Sequence, residues 1–133
     1  MKAKIGIMPE SLVRNRMLAI ASGTYQIEND EPKIWYSSIN AICQILNEKN
    51  IALLRLIEKE KPESLTELAQ LTGRQKSNLS NTLKALAEKG FIRLEKGTGN
   101  VLKPVALYTN FEIIVDSHYE NKVLQAIARM KAA

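Results

Sequence analysis

A mainly helical α+β fold is what this chain of 133 residues predicts, and three observations predict it. Apolar side chains recur at helical spacing in successive stretches from residue 9 to residue 131. Between residues 91 and 108 the period switches to alternation around a glycine-rich tip, the pattern of two short strands. Caps and breakers separate the stretches: Ser64 with Glu67, Thr72-Gly73, Gly90, and Ser117 with Glu120.

Along the chain, residues 1–8 read as an extended arm. Pro9 opens a helix to about Ala21 whose apolar residues are Leu12, Val13, Met17, Leu18 and Ile20. Ser22-Gly23 stops it. Tyr25–Pro32, polar and acidic through Glu28, Asp30 and Glu31, reads as a linker. Lys33–Tyr36 is a short extended segment that carries Trp35 to the core. A helix from Ser37 to about Asn47 sets Ile39, Ile42, Ile45 and Leu46 on one face. Asn50 caps a helix bearing Ile51, Leu53, Leu54 and Ile57, which Pro62 closes. Ser64-Leu65-Thr66-Glu67 is a capping box; its short helix buries Leu65, Leu68 and Leu71 and breaks at Thr72-Gly73.

The next helix runs from about Gln75 to Lys89, buries Leu79, Leu83 and Leu86, and stops at Gly90. Phe91–Glu95 and Val101–Tyr108 are strands on either side of the tip Gly97-Thr98-Gly99-Asn100, with Pro104 marking an edge. Phe111–Val115 extends that sheet or forms its exit. Ser117-His118-Tyr119-Glu120 repeats the capping pattern before a last helix with Val123, Leu124 and Ile127 on one face. Helix, short break, helix, then strand, tip and strand is the layout of a winged helix-turn-helix, here with flanking N- and C-terminal helices. The expected organisation is an N-terminal arm, helix and linker over 1–36, the winged domain over 37–115 and a C-terminal helix over 116–133.

Composition narrows the class. Apolar residues at 45% and charged residues at 25% are ordinary for a globular chain that buries its own core. No apolar run approaches the ~20 residues that span a bilayer, and the first ten residues lack the apolar segment of a signal peptide. One cysteine, Cys43, leaves no intrachain disulfide and suits a reducing compartment; its apolar-periodic surroundings predict a core position. The expected localisation is cytoplasmic, with no membrane partner.

Charge then points to a partner. Residues 74–103 carry seven bases (Arg74, Lys76, Lys84, Lys89, Arg93, Lys96, Lys103) against Glu88 and Glu95, a surplus equal to the whole formal net charge of +5. Such a concentration suits a polyanion, because Lys and Arg displace counterions from phosphates. On the helix from Gln75, the residues left facing outward are Arg74, Gln75, Lys76, Ser77, Asn78, Ser80, Asn81 and Lys84, with no acid before Glu88. Ser and Asn read base edges or phosphates, and Lys and Arg pair with phosphate or guanine. Arg93, Lys96 and Lys103 flank the tip and would hold a wing on the DNA backbone. Double-stranded DNA is the expected partner, and a sequence-specific transcriptional regulator the expected function.

The run Ser64-Leu65-Thr66-Glu67-Leu68-Ala69, Thr72-Gly73, Ser77-Asn78-Leu79-Ser80, Leu83-Lys84-Ala85-Leu86 and Gly90-Phe91-Ile92 resembles the winged helix-turn-helix of the MarR (multiple-antibiotic-resistance regulator) and ArsR (arsenic-resistance regulator) superfamily over about residues 38–110. Outside it, Lys4-Ile5-Gly6-Ile7-Met8-Pro9 and Glu31-Pro32-Lys33-Ile34-Trp35-Tyr36-Ser37-Ser38 resemble a small prokaryotic subgroup of DNA-binding regulators, some encoded beside toxin genes. The resemblance implies DNA contact at Lys76, Ser77, Asn78, Asn81 and Lys84. Asn81 departs from the pattern, since many relatives carry Arg there. The resemblance also implies a homodimer built through flanking helices, reading half-sites about 34 Å apart, and a repressor's role.

Other readings stay open at this level. The chain fits the antitoxin of a toxin–antitoxin pair, with a cognate toxin as partner. It also fits a winged protein-interaction module, although the second helix lacks the outward aromatic anchors of such an interface. Arg14 and Arg16 on the first helix either touch phosphate or are solvated. No cofactor, metal or catalysis is expected: Cys43 and His118 stand far apart, His118 reads as a surface residue, and no nucleophile–base pair or phosphate loop occurs.

Overall fold

A computed structural model describes residues 1–99 and 101–132. Asn100, assigned above to the wing tip, and Ala133, the last residue of the expected C-terminal segment, lie outside the described residues. The fold is α+β and mainly helical. The elements run β1 (Lys2–Ile7), α1 (Glu10–Ser22), β2 (Ile34–Tyr36), α2 (Ile39–Ile45), α3 (Glu48–Glu60), α4 (Leu65–Thr72), α5 (Lys76–Glu88), β3 (Ile92–Lys96), β4 (Leu102–Ala106), β5 (Asn110–Ile114) and α6 (Ser117–Ala132). They fall into two compact units, one of Met1–Lys2 with Gln44–Asn110, the other of Ala3–Cys43 with residues from Phe111 onward.

The first unit is a winged helix-turn-helix. Its caps are local and strong. The Asn47 side chain accepts from the Asn50 amide at 2.9 Å, so α3 starts one turn earlier than expected; Asn50 instead donates through Nδ2 to the Ile45 carbonyl at 2.8 Å. Ser64 Oγ accepts from the Glu67 amide at 3.0 Å, and the Glu67 carboxylate takes the Glu63 amide at 3.1 Å. A left-handed Gly73 (φ 71) ends α4 and donates back to Ala69 O. That conformation, unfavourable for any residue with a Cβ, lets the chain reverse into α5 within three residues. Leu68, Leu79, Leu83, Leu86, Phe91 and Ile92 are buried with Leu53, Leu54 and Ile57. Leu71, expected in the stripe of α4, is 45% exposed; on this short helix only Leu68 is fully buried. β3 and β4 pair antiparallel, with Ile92 opposite Ala106 and Lys96 opposite Leu102, and β4 packs on α3 and α4.

The second unit corrects several expectations. Residues 1–8 are no free arm: β1 is the central strand of a sheet ordered β2-β1-β5, and Ile5 is wholly buried. β1 pairs parallel with β2, placing Gly6 opposite Trp35. A Cβ at Gly6 would collide with the Trp35 ring, which explains a glycine inside a strand. β5 belongs to this sheet and not to the wing hairpin. α1 and α6 pack together around Met8, Ala19, Tyr25, Val123 and Ala126, with Trp35 against that cluster. Met17, Leu18 and Leu124, expected in apolar stripes, remain exposed at 66%, 52% and 54%. Cys43 is exposed as well, since α2 turns only Ile42 fully inward. The α6 cap is Asp116, whose carboxylate accepts from the His118 amide at 2.9 Å; His118 itself is exposed.

The segment read as a linker is instead anchored by a polar core. Glu31, 2% exposed, takes Arg16 Nε and Nη2 at 3.1 and 2.8 Å and the Tyr25 hydroxyl at 2.8 Å on Oε2. Its Oε1 takes the Glu28 amide at 2.9 Å and Lys122 Nζ at 3.3 Å. The Arg16 guanidinium lies over the Tyr25 and Trp35 rings at 5.4 and 5.2 Å from their centroids. Arg16 is therefore neither solvated nor turned to phosphate, whereas Arg14 is exposed beside Glu10 at 3.3 Å. Burial alone would raise the Glu31 carboxyl; the Glu28 amide, Arg16 and Tyr25 outweigh it and hold Glu31 below its ordinary value. Burial, reinforced by Glu31, pushes the Tyr25 phenol well up.

Candidate nucleic-acid interface

Construction of this face begins with the turn before α5. Thr72 Oγ1 donates to the Leu68 carbonyl at 3.0 Å and accepts from the Arg74 amide at 3.2 Å, fixing the reversal after Gly73. Gln75 is the N-cap of α5 and offers it no side-chain cap; the first turn, Lys76-Ser77-Asn78, contains no acid. The open end of a helix carries unpaired amides and the positive pole of its dipole, so this terminus favours an anion.

At about 100° per residue, α5 sorts its side chains by direction. Leu79, Leu83 and Leu86 face the core, buried. Ser77, Asn81 and Lys84 stand on the opposite side and are exposed. Lys76 and Ser80 fall on one flank. Ser80 is half-buried and lines a narrow apolar cleft with Leu65, Leu83, Lys84, Leu94 and Leu102, where the wing rests on α4 and α5. Asn78 falls on the other flank and is exposed; Arg74 reaches along that flank to Thr82 Oγ1, 3.5 Å from Nη2. Gln75 is exposed at the cap. The helix thus gathers Lys76, Ser77, Asn78, Asn81 and Lys84 on its accessible surface, sends Ser80 towards the wing and folds Arg74 back on its side.

On the wing the three predicted cations differ. Arg93 sends Nε and Nη2 to Glu95 Oε1 at 3.0 and 2.7 Å, an exposed pair. Lys103 Nζ stands 3.5 Å from Glu63 Oε1. Lys96 is exposed at the end of β3 and, among the described residues, has no ion-pair partner. The Gly97 amide closes the tip on the Val101 carbonyl at 2.7 Å, with Gly99 in the left-handed region (φ 68). Charge along the sequence leaves Arg93 available, whereas in the structure Glu95 neutralises it. The signal was there, because residues two apart on a strand share a face.

Among the described residues no group of three or more His, Cys, Asp or Glu side chains converges as a metal site. No helix among them is long and apolar enough to cross a membrane.

Comparison with known proteins gives three findings. A family model, HVO_A0114, matches residues 45–113, just over half of the chain and spanning α3 to β5. No curated protein matches the sequence. Among solved structures, the crystal structure of the AntR antimony-specific transcriptional repressor superposes with a TM-score of 0.44 at 17% identity, covering 78% of this chain and 89% of that one. A likeness that loose carries no functional assignment.

Proposed function

The chain belongs to the HVO_A0114 family, and from the face that α5 presents within the matched span we propose a sequence-specific double-stranded DNA-binding regulator of transcription. One observation carries the reading: Lys76, Ser77, Asn78, Asn81 and Lys84 stand together on the accessible side of α5, with no acid among them and a basic hairpin following. An ordinary solvated helix interleaves Glu with Lys; this one does not until Glu88. In the proposed complex α5 enters the major groove, where Ser77, Asn78 and Asn81 meet base edges or phosphates. Lys76 and Lys84 pair with the backbone, and Lys96 leads the wing's phosphate contact.

The reading is of a non-catalytic, cytoplasmic repressor that acts as a homodimer of the MarR/ArsR kind. Met17 and Leu18 on α1 and Leu124 on α6, all exposed, supply apolar surface for a second copy.

Binding of the purified chain to genomic fragments, including its own upstream region, tests the reading. Over ~50 to ~200 mM salt, a protein with about 6–10 phosphate contacts loses roughly 10³–10⁵ in affinity. One fragment retained through that loss supplies the operator. No binding at low salt refutes DNA recognition.

A further inference from the structure

The end of the wing is apolar. From Gly97 to Leu102 the sequence carries no charge; Lys96 and Lys103 stand behind that stretch, one on each strand. Val101 and Leu102 are both 42% exposed. They leave the hairpin on opposite faces, because successive residues of a strand alternate. Leu102 is opposite Lys96, on the face that carries the buried Ile92 and Pro104. It lines the cleft shared with Ser80 and Lys84 of α5. Val101 emerges on the other face, and its carbonyl accepts from the Gly97 amide at 2.7 Å. A Cβ at Gly97 would touch Val101 Cγ1 at 3.7 Å, so a glycine there leaves the valine uncovered. Two aliphatic side chains therefore flank the tip, with a cation behind each.

We propose that Val101 and Leu102 form an apolar wedge that enters the minor groove beside the major groove taken by α5 and opens a base step there, a role that rests on the DNA-binding reading above. The chain then selects its operator partly by how readily that step deforms. Chemistry selects the surface the wedge meets. Phosphates offer an aliphatic side chain nothing, whereas the deoxyribose walls of the minor groove and the faces of unstacked bases cover it. Position selects the groove: β3 packs on α5, so the end of the hairpin stands beside the helix. Charge holds the wedge in place. Lys96, across the hairpin from Leu102, and Lys84, across the cleft, have no ion-pair partner among the described residues and take phosphates on the ridge between the two grooves. Neither wedge side chain can hydrogen-bond a base, so what they read is stiffness: TA and CA/TG steps yield, and A-tracts resist.

The test uses the full chain and short duplexes cut from the genomic fragment retained in the salt series above. Dyes at both ends report bending by energy transfer, and the step beneath the wing, located by footprinting, is set to TA or to AA. The parent chain is expected to bend the TA duplex by about 20° or more and to bind it about fivefold more tightly than the AA duplex. Val101→Ser with Leu102→Ser removes exposed apolar surface and leaves every charge. This double variant should bind the TA duplex about tenfold more weakly, without the bend or the preference, while the slope of log affinity against log salt stays as in the parent. The unchanged slope separates the wedge from Lys96→Ala, which lowers it. If the double variant melts below the parent, Val101→Ser alone, on the open face, carries the same comparison. An unbent parent complex, or a variant with parental affinity and bend, overturns the wedge and leaves the DNA-binding reading standing. A variant that keeps parental DNA binding but loses self-association in sedimentation gives the two side chains to a second copy and also overturns the wedge. A parent chain that binds no DNA overturns both.

Discussion

Two clusters of cations in this chain meet opposite fates. Arg16 and Lys122 converge on the buried Glu31, whose two oxygens collect five polar contacts within 3.3 Å. Lys76 and Lys84 on α5, and Lys96 at the wing, stand exposed with no ion-pair partner among the described residues. The first cluster is structural, because every donor brought out of water is matched by an acceptor. The second is unmatched, and an unmatched row of donors on a rigid helix is what a polyanion requires. Counting charges along the sequence locates the surplus, but only geometry separates cations already engaged from cations still available.

The largest expected effect lies in the structural cluster. Arg16→Met should cost about 3–5 kcal/mol, since it leaves the Glu31 carboxylate buried without the guanidinium that donates twice to Oε2. Urea denaturation followed by the fluorescence of Trp35, the single tryptophan, reads this directly. A loss under about 1 kcal/mol would mean that Lys122 and Tyr25 satisfy Glu31 by themselves, and the comparison above would lose one side. The same cluster sets an acid sensitivity. Glu31 is held below its ordinary value of 4.5, so its contribution is complete above that pH and is lost as pH falls through the folded value. In Glu31→Gln that acid-side slope should vanish. An identical slope in both chains would place the titration elsewhere.

In the second cluster the expected effects are on DNA and smaller. Asn78→Ala should relax sequence choice by about 1–3 kcal/mol at one base pair, the range for a paired side-chain contact to a base edge. Competition between the operator and single-site variants measures it; undiminished discrimination removes Asn78 from base reading. Lys96→Ala should weaken all sequences alike and reduce the slope of log affinity against log salt by about 0.9, one phosphate's worth. An unchanged slope would take Lys96 off the backbone.

Much of the fold was legible because local chemistry dictates it. Ser64 with Glu67, Gly73 and Gly90 mark helix ends through their own backbone hydrogen bonds, and the period of Leu79, Leu83 and Leu86 fixes which side of α5 is inward. The failures are residues whose state depends on distant partners. A Glu in a polar stretch reads as solvated until Arg16, fifteen residues earlier, and Lys122, ninety-one later, are folded onto it. Residues 1–8 read as an arm because a strand's neighbours are not written in the strand. The candidate site was legible on α5, where outward and inward follow from the helical period. On the wing the sequence named the cations but not their state, because Lys103 meets Glu63 across forty residues of chain.

The smallest predicted effect sharpens the comparison most, because it converts an engaged cation into an available one without adding charge to the helix. Arg93 is fastened to Glu95 by two hydrogen bonds at 3.0 and 2.7 Å, yet the two side chains stay 58% and 42% exposed. An exposed pair of this kind is worth only about 0.2–1 kcal/mol. Glu95→Gln should therefore barely change stability while removing a negative charge from the wing and releasing the guanidinium. If the wing meets phosphate, affinity for every DNA sequence should rise by about two- to fivefold, with a steeper salt slope. Arg93→Ala in the parent should change affinity less than Lys96→Ala does, because the parent's Arg93 is already neutralised. If Arg93→Ala is instead the more damaging of the two, Arg93 leaves Glu95 for the phosphate on binding. Available charge at the wing would then be set by the complex and not by the free chain.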